Sequence, residues 1–580
     1  TANPPYTDSG DFGPELKEFI EDNYKKPYKF HTNLYATFIK RCYDFTGKAG
    51  FVAMVHPPTF MYIKTFEDVR KFMLDKTHIN FFVEWGYLGM FNPSARVDSA
   101  LYILEKNNNQ EKDAVFVKLN HLYETKRYDA LFEAYEKFHA GETHGLLYSV
   151  PQSKLKVIKT WPFIYWISDE FRDKFRAVSL EEVFCPKAGL QTANNNRFLR
   201  FWWEVTQNKK HYSSQDHWIV YSKGGPFNKW YGNLWLTVNW RDNGYDIKNF
   251  TDAKGKVRSR PQNESFYLKE GVTYSTTGSK GASFRYLPVG NMFDMGGSSL
   301  FPVSKYRNVK YCLAFINSKM ACYLTSCLNP TVNTQIGDIA RIPFVNPAED
   351  IDRLITNLTD TNIGIKKTLT GYSFVELDFS VSPFKGNGSL KKFLNLENHL
   401  LSRILINEAI INEKIFEVYD LTDFDKSMVL AKEGASIGDL PVTSEARDAY
   451  LAETEATKEF PLDTIREFIE ALPTKEFTAE ERDAIESGFG SLYQNNNDLE
   501  EFCIRHQVNP INVWYWFKQS NVIPQQRMHT LALEFLADMV REILMEDEDG
   551  IIPLVPNAGE KVLLDRLEEK FREKGFSSAQ

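Results

Sequence analysis

The chain has no apolar run long enough to cross a bilayer, which excludes a helical membrane span, and no charged-then-apolar leader of the secretory kind. Its six cysteines (Cys42, Cys185, Cys312, Cys322, Cys327 and Cys503) form no C-x-x-C pair and no Cys/His cluster at zinc spacing. That excludes a zinc finger or ribbon, and no other metal site is expected. Thiols scattered in this way fit a reducing cytoplasm. No internal repeat and no long low-complexity segment occurs, which excludes a repeat array or a largely disordered chain. No convincing P-D-x-n-D/E-x-K nuclease motif is found. Glycine-rich strand-to-helix turns are missing too. Gly488-Phe489-Gly490 lies in a polar helical region with no strand before it, and Gly296-Gly297-Ser298-Ser299 reads as a surface turn.

What is present is a folded chain. With 580 residues, 43% of them hydrophobic and 14% aromatic, it is long enough for two to four domains with separate cores. The net charge of -8 at first argues against nucleic acid. Its distribution reverses that reading. Residues 151–345 carry 27 Lys and Arg against 14 Asp and Glu, a net of +13, which leaves -21 on the rest. One basic domain inside an acidic chain is the electrostatic footprint expected for DNA; the plainer reading is a solvated basic surface.

Helix and strand patterns alternate at the start. Leu34, Phe38 and Cys42 share one helical face within residues 33–45, and Gly47 and Gly50 turn into the apolar run Phe51-Val52-Ala53-Met54-Val55. Residues 65–74 read as a helix, and 79–83 and 97–104 as strands. This alternation predicts a parallel, doubly wound sheet, with the last two strands able to pair antiparallel at its edge. Residues 110–145 read as a polar helical spacer. From Leu146 to Val345 short strand patterns such as Leu234-Trp235-Leu236-Thr237-Val238 alternate with turn tracts. Helical patterns follow: 389–419 is amphipathic, 432–457 is an acidic linker or a pair of weak helices, 528–545 is periodic, and Glu546-Asp547-Glu548-Asp549 reads as a solvated loop.

The tetrad Asn3-Pro4-Pro5-Tyr6 carries chemistry. An exocyclic amine of adenine is a poor nucleophile, because its lone pair is delocalised into the ring. Two acceptors aimed at its two N–H bonds favour the return to sp3 nitrogen. The Asn3 side-chain carbonyl and the Pro4 backbone carbonyl can supply them, and consecutive prolines fix the loop. Tyr6 can stack on a base that has left the duplex. The competing reading is a rigid Pro-rich turn after a strand.

The tetrad resembles the motif by which amino-methyltransferases grip an exocyclic amine. The stretch to about Lys106 resembles the second half of gamma-class N6-adenine DNA methyltransferases. The resemblance rests on the tetrad, Asn33-Leu34-Tyr35-Ala36-Thr37-Phe38-Ile39, Gly47-Lys48-Ala49-Gly50 with the strand after it, Gly89-Met90-Phe91-Asn92-Pro93, and Val97-Asp98-Ser99-Ala100-Leu101-Tyr102. Further on, Gly189-Leu190-Gln191-Thr192, Asn196-Arg197-Phe198, Arg258-Ser259-Arg260-Pro261-Gln262-Asn263, Leu328-Asn329-Pro330-Thr331 and 337–343 resemble the target-recognition domain of long bacterial adenine methyltransferases. Residues 407–419 resemble the helix after it. The ensemble, over residues 1 to 420, is similar to the methyltransferases of BREX phage-resistance systems; type II restriction-modification and DISARM methyltransferases share much of the pattern.

This resemblance implies an α/β region (the C-terminal half of a Rossmann-like methyltransferase sheet), a mixed α+β target-recognition domain and an α-helical C-terminal region. The expected division is 1–109 (catalytic half), 110–150 (spacer), 151–345 (target recognition), 346–440 (helical) and 441–580 (acidic, helical). It implies Asn3, Pro4, Pro5 and Tyr6 as catalytic, Tyr6 and Phe91 as base-stacking, S-adenosyl-L-methionine (AdoMet) as cofactor, and double-stranded DNA and other phage-defence proteins as partners. The AdoMet loop of this class lies upstream of the tetrad, so the chain reads as the downstream part of a larger protein, with an unpaired sheet edge and little affinity for AdoMet by itself. Candidate DNA contacts are Gln191, Thr192, Asn194, Asn195 and Arg197; Lys254, Lys256, Arg258, Arg260, Gln262 and Asn263; and Thr276, Ser279, Lys280 and Arg285. A non-catalytic specificity or interaction module, and the specificity part of a restriction-modification enzyme, remain the alternatives.

Overall fold

Asn33 starts helix α2 (Leu34–Phe45) as its N-cap, its side-chain oxygen accepting from the Tyr35 amide. It thereby satisfies one of the amides that a helix start leaves unpaired. The helix buries Tyr35, Ala36, Thr37 and Ile39. Helix α1 (Pro14–Tyr24) precedes it, and strand β1 (Phe51–His56) follows with Val52, Met54 and His56 turned inward. The computed structural model describes residues 1–88, 90, 96–107, 112–205, 217–276, 283–306, 308–329, 335–384, 389–457, 462–493, 498–556 and 559–576. These divide into two units: residues 1–179 with 324–331 and 341–344, and the remainder.

The first unit holds a five-stranded sheet. After β1 come α3 (Glu67–Lys76), β2 (His78–Tyr87), β3 (Asp98–Glu105), β4 (Asp113–Lys118), α4 (Arg127–Ala140) and β5 (Leu147–Pro151). Their order is β1-β3-β2-β4-β5. The helix and strand positions expected from the alternation are met within a few residues. The antiparallel pair expected of the last two strands is met, β3 against β2, but β3 also pairs antiparallel with β1 while β2 and β4 pair in parallel, so the sheet is mixed rather than all parallel. The cause is the return of β3, which inserts between β1 and β2 instead of closing the edge. Strands β1, β2 and β4 therefore run in one direction, with β3 running against them between β1 and β2. Residues 110–145 are also not all helical. Ala114, Val115, Phe116 and Val117 form buried β4, an apolar run that the polar residues around it obscured. A short pair, β6 (Val178–Ser179) with β15 (Pro343–Phe344), completes this unit.

The core of the first unit gathers Tyr35, Ile39, Val52, Met54, Phe60, Phe72, Phe82, Tyr102 and Phe116. Arg70 is buried there, donating to the carbonyls of Phe60, Ile63 and Thr160. Three backbone carbonyls compensate its desolvation and tie helix α3 to two loops; burial still lowers its pKa to about 9.

The second unit begins with two four-stranded sheets, β13-β9-β10-β8 and β12-β11-β14-β7. The strands are β7 (Phe184–Lys187), β8 (Leu199–Phe201), β9 (Trp218–Ser222), β10 (Leu236–Asn239), β11 (Gly271–Tyr274), β12 (Phe284–Leu287), β13 (Met292–Phe293) and β14 (Ser299–Pro302). Leu190, Tyr221, Val238, Leu287, Phe293 and Phe301 share one core. Close packing leaves no room at Gly189, where an added Cβ would lie 1.9 Å from the Phe293 carbonyl oxygen. Helices follow, among them Glu349–Thr370, Ser389–Val418 and Gln525–Glu546. Within the acidic stretch 432–457 the end of helix Asp423–Glu433 and a 3-10 turn, Ile437–Asp439, lead into one α-helix, Ser444–Thr457. In the tract after Glu546, Asp547 is not solvated as expected: it turns inward to Arg566 at 2.7 Å.

Candidate functional site

The tetrad stands at the carboxyl edge of the first unit's sheet. Ala2 makes one parallel rung with β1: its amide donates to the Ala53 carbonyl at 2.9 Å, and its carbonyl accepts from the Val55 amide at 3.1 Å. The outer side of β1 is thus not bare along its whole length. Because Ala2, β1, β2 and β4 run in one direction, Asn3, Pro57, Leu88 and Leu119 all follow carboxyl ends on the same side of the sheet. That edge is where open α/β sheets place ligands.

Within the tetrad Pro4 is buried, Asn3 and Pro5 are exposed, and Tyr6 is half-buried against the core. The Tyr6 hydroxyl donates to Asn3 Oδ1 at 2.6 Å. Burial raises the Tyr6 pKa, so the hydroxyl stays a donor. The segment after the tetrad is held by the start of α2. The Thr7 carbonyl accepts from the Leu34 amide at 3.0 Å, and Asn33 Nδ2 donates to Asp8 Oδ1 at 2.6 Å and to the Tyr6 carbonyl at 3.5 Å. Asn33 therefore caps the helix with one end of its amide and grips the tetrad's flank with the other. Sequence reasoning started the helix there but missed this second role.

His56, also missed, anchors the same core. Its ring stacks on Tyr35 at 4.4 Å. Nδ1 lies 2.9 Å from the Pro57 carbonyl and Nε2 lies 2.6 Å from the Tyr102 hydroxyl. A carbonyl only accepts, so Nδ1 carries the proton and Nε2 accepts from Tyr102. Burial lowers the His56 pKa to about 4, so the ring is neutral near pH 7. A polar residue at an inward position of an alternating strand was the available signal.

At the end of β2, Leu88 has a left-handed φ of 70°. Its carbonyl accepts from Trp85 Nε1 at 3.2 Å and from Arg127 Nη1 at 3.0 Å, and Arg127 also reaches the Tyr87 carbonyl at 2.7 Å. Phe91, the second candidate for base stacking, lies outside the described residues, as do Ser279 and Lys280.

In the second unit two of the candidate DNA tracts meet. Gln191 and Arg260 exchange backbone hydrogen bonds of 3.0 and 2.8 Å. The guanidinium groups of Arg197 and Arg258 lie 5.4 and 6.0 Å from the Phe250 ring centroid. Asp252 accepts from the amides of Lys254 and Lys256 at 2.9 and 3.0 Å, shaping the turn that presents both lysines. Asn194, Asn195, Arg197, Lys254, Lys256, Arg258, Arg260 and Asn263 are exposed, and Gln191, Gln262 and Thr276 are half-buried. Asn194 caps a short helix by accepting from the Arg197 amide, and Asn263 Nδ2 donates to the Ala188 carbonyl. Thr192 and Arg285 are buried. Arg285 donates to Ser275, Ser283 and the Asn228 carbonyl, and desolvation lowers its pKa to about 10. An arginine counted from sequence as surface charge is here a core group.

Neither glycine turn fits AdoMet. Gly296-Gly297 packs against the backbone of Gly224 between short strands, and Gly488-Phe489-Gly490 joins a helix to a 3-10 turn. Neither is a strand-to-helix cradle.

Residues 1–91 match the family model of the Eco57I restriction-modification methylase. Over 363 residues the chain is 28% identical to the adenine-specific methyltransferase PglX of Lacticaseibacillus casei (strain Zhang), covering 59% of this chain and 29% of that protein. It is 25% identical over 426 residues to the adenine-specific methyltransferase BrxX of Escherichia coli O9:H4 (strain HS), covering 72% and 33%. The chain thus spans about a third of the length of these curated relatives. Among solved structures it is similar to the type IIL restriction-modification enzyme MmeI in complex with DNA (TM-score 0.43, 11% identity, 74% of this chain and 56% of that one). It is also similar to the type ISP enzyme LlaGI in complex with a DNA substrate mimic (TM-score 0.37, 12% identity, 63% and 34%). By sequence it resembles PglX-type N6-adenine methyltransferases.

Proposed function

We propose that this chain is the target-adenine-holding and DNA-reading part of an N6-adenine DNA methyltransferase of the phage-defence kind. The observation that carries the reading is the tetrad at the carboxyl edge of the sheet, with Asn3 oriented by the Tyr6 hydroxyl. Asn3 Oδ1 and the Pro4 carbonyl accept from the adenine amine, and Tyr6 stacks on the base after it flips out of the duplex. Arg197, Lys254, Lys256, Arg258 and Arg260 contact phosphates, while Gln191, Asn194, Gln262 and Asn263 supply base-edge or sugar contacts. Thr192 and Arg285 drop out of that set because they are buried. Residues 151–345 act as the recognition domain, and the acidic helical region binds other proteins of the defence system.

AdoMet donates the methyl group in such enzymes, and neither glycine turn among the described residues fits it. Isothermal titration of AdoMet against the 580-residue chain is expected to show no binding. A micromolar signal would sink that part of the reading. Long-read sequencing of host DNA with and without the gene tests the rest: one N6-methyladenine motif is expected to vanish on deletion. An unchanged methylome would leave the second reading, a non-catalytic specificity module.

A further inference from the structure

The sequence offers Tyr6 a ring for stacking; the structure gives its hydroxyl a task as well. We infer that the Tyr6 hydroxyl is a positioning group that presents the side-chain oxygen of Asn3, rather than its NH2 group, to the target amine. The inference rests on the adenine-holding reading above. Phenol conjugation keeps the O–H in the plane of the ring. An acceptor 2.6 Å away, here Asn3 Oδ1, therefore lies close to that plane.

Asn3 is exposed, and its free amide would rotate to offer water either its oxygen or its NH2 group. The phenol donates and stays protonated, because burial raises its pKa. It pairs with the amide oxygen and leaves one lone pair of that oxygen for the substrate. The wrong rotamer, which would aim NH2 at the adenine amine, is disfavoured before the base arrives. The Tyr6 ring is itself fixed through its packing on the core and through the Asn33 grip on its carbonyl.

The test uses the full chain and a duplex carrying the recognition sequence found by long-read sequencing, with an abasic site opposite the target. Three versions carry adenine, N6,N6-dimethyladenine (no N–H donors) or 2-aminopurine at the target. The wild-type chain is expected to prefer adenine to dimethyladenine and to brighten 2-aminopurine on flipping. Tyr6→Phe keeps the ring and removes only the hydroxyl. It should still brighten 2-aminopurine but lose about three- to tenfold of the adenine preference, the worth of one hydrogen bond. Tyr6→Leu should lose both signals. Undiminished preference in Tyr6→Phe overturns the positioning role and leaves the adenine-holding reading intact. Absence of preference and of brightening in the wild-type chain overturns that reading, and the inference with it.

Discussion

Acidification should loosen the first unit through His56, by an amount the structure lets one work out. The ring is fully buried, holds its proton on Nδ1 against the Pro57 carbonyl, and accepts from Tyr102 on Nε2. Protonating Nε2 sets N–H against O–H and places a charge among Tyr35, Phe60 and Tyr102. Its pKa falls from 6.5 to about 4 on folding. Between those values the unfolded chain binds the extra proton, so stability is complete above the unfolded pKa and declines as pH drops toward the folded one. The loss is about 2 kcal/mol by pH 5 and about 3 kcal/mol by pH 4. Below that the folded state is protonated too and this contribution levels off. Urea unfolding at pH 7 and pH 5 measures it, with His56→Gln as the reference that removes this titration and leaves all others. The wild-type chain should lose about 2 kcal/mol more than the variant across that interval, roughly a 1 M shift in midpoint. Equal pH dependence in the two proteins would refute the assignment of a neutral, depressed His56.

Two further perturbations test the second unit. Reversing Arg258 and Arg260 to Glu should weaken DNA binding and flatten the slope of log affinity against log salt by ~2–4, since both groups lie on the ridge built by the Gln191–Arg260 ladder; fluorescence anisotropy at several salt concentrations reads both, and an unchanged slope removes the ridge from the interface. Gly189→Ala should cost about 2–4 kcal/mol, because its Cβ meets the Phe293 carbonyl oxygen at 1.9 Å and backbone must move; thermal unfolding checks it, and a melting temperature within a degree of wild type would contradict the packing.

The strands and helices of the first unit were legible because their signals are local. The Asn33 cap, the Gly47–Gly50 turn and the apolar run in β1 each fix structure within a few residues. The antiparallel β2–β3 pair was legible, but the insertion of β3 beside β1 was not, because it depends on where β3 goes after leaving β2. Alternation counts elements along the chain and says nothing about insertion between two of them. Strand β4 was missed for another local reason: four buried residues sit between Asp113 and Lys118, in a polar stretch that averages toward helix.

The site divides along the same line. The tetrad was readable because its chemistry needs four consecutive residues, while the basic ridge needs two segments 69 positions apart in the chain, Gln191 and Arg260, to meet. Charge density along the sequence found both segments, yet it also swept in Arg285, which the fold uses as a buried donor among Ser275, Ser283 and Asn228. The distinction between those arginines is carried by their surroundings. Arg258 follows a turn shaped by Asp252 and rests on an aromatic ring with its head in water. Arg285 lies in β12 and is fully buried, with Nη1 donating to serines and backbone carbonyls while Nε and Nη2 have no hydrogen-bond partner among the described residues. A cation shut away from solvent does not reach phosphate, and its substitution should therefore disturb folding before it disturbs binding.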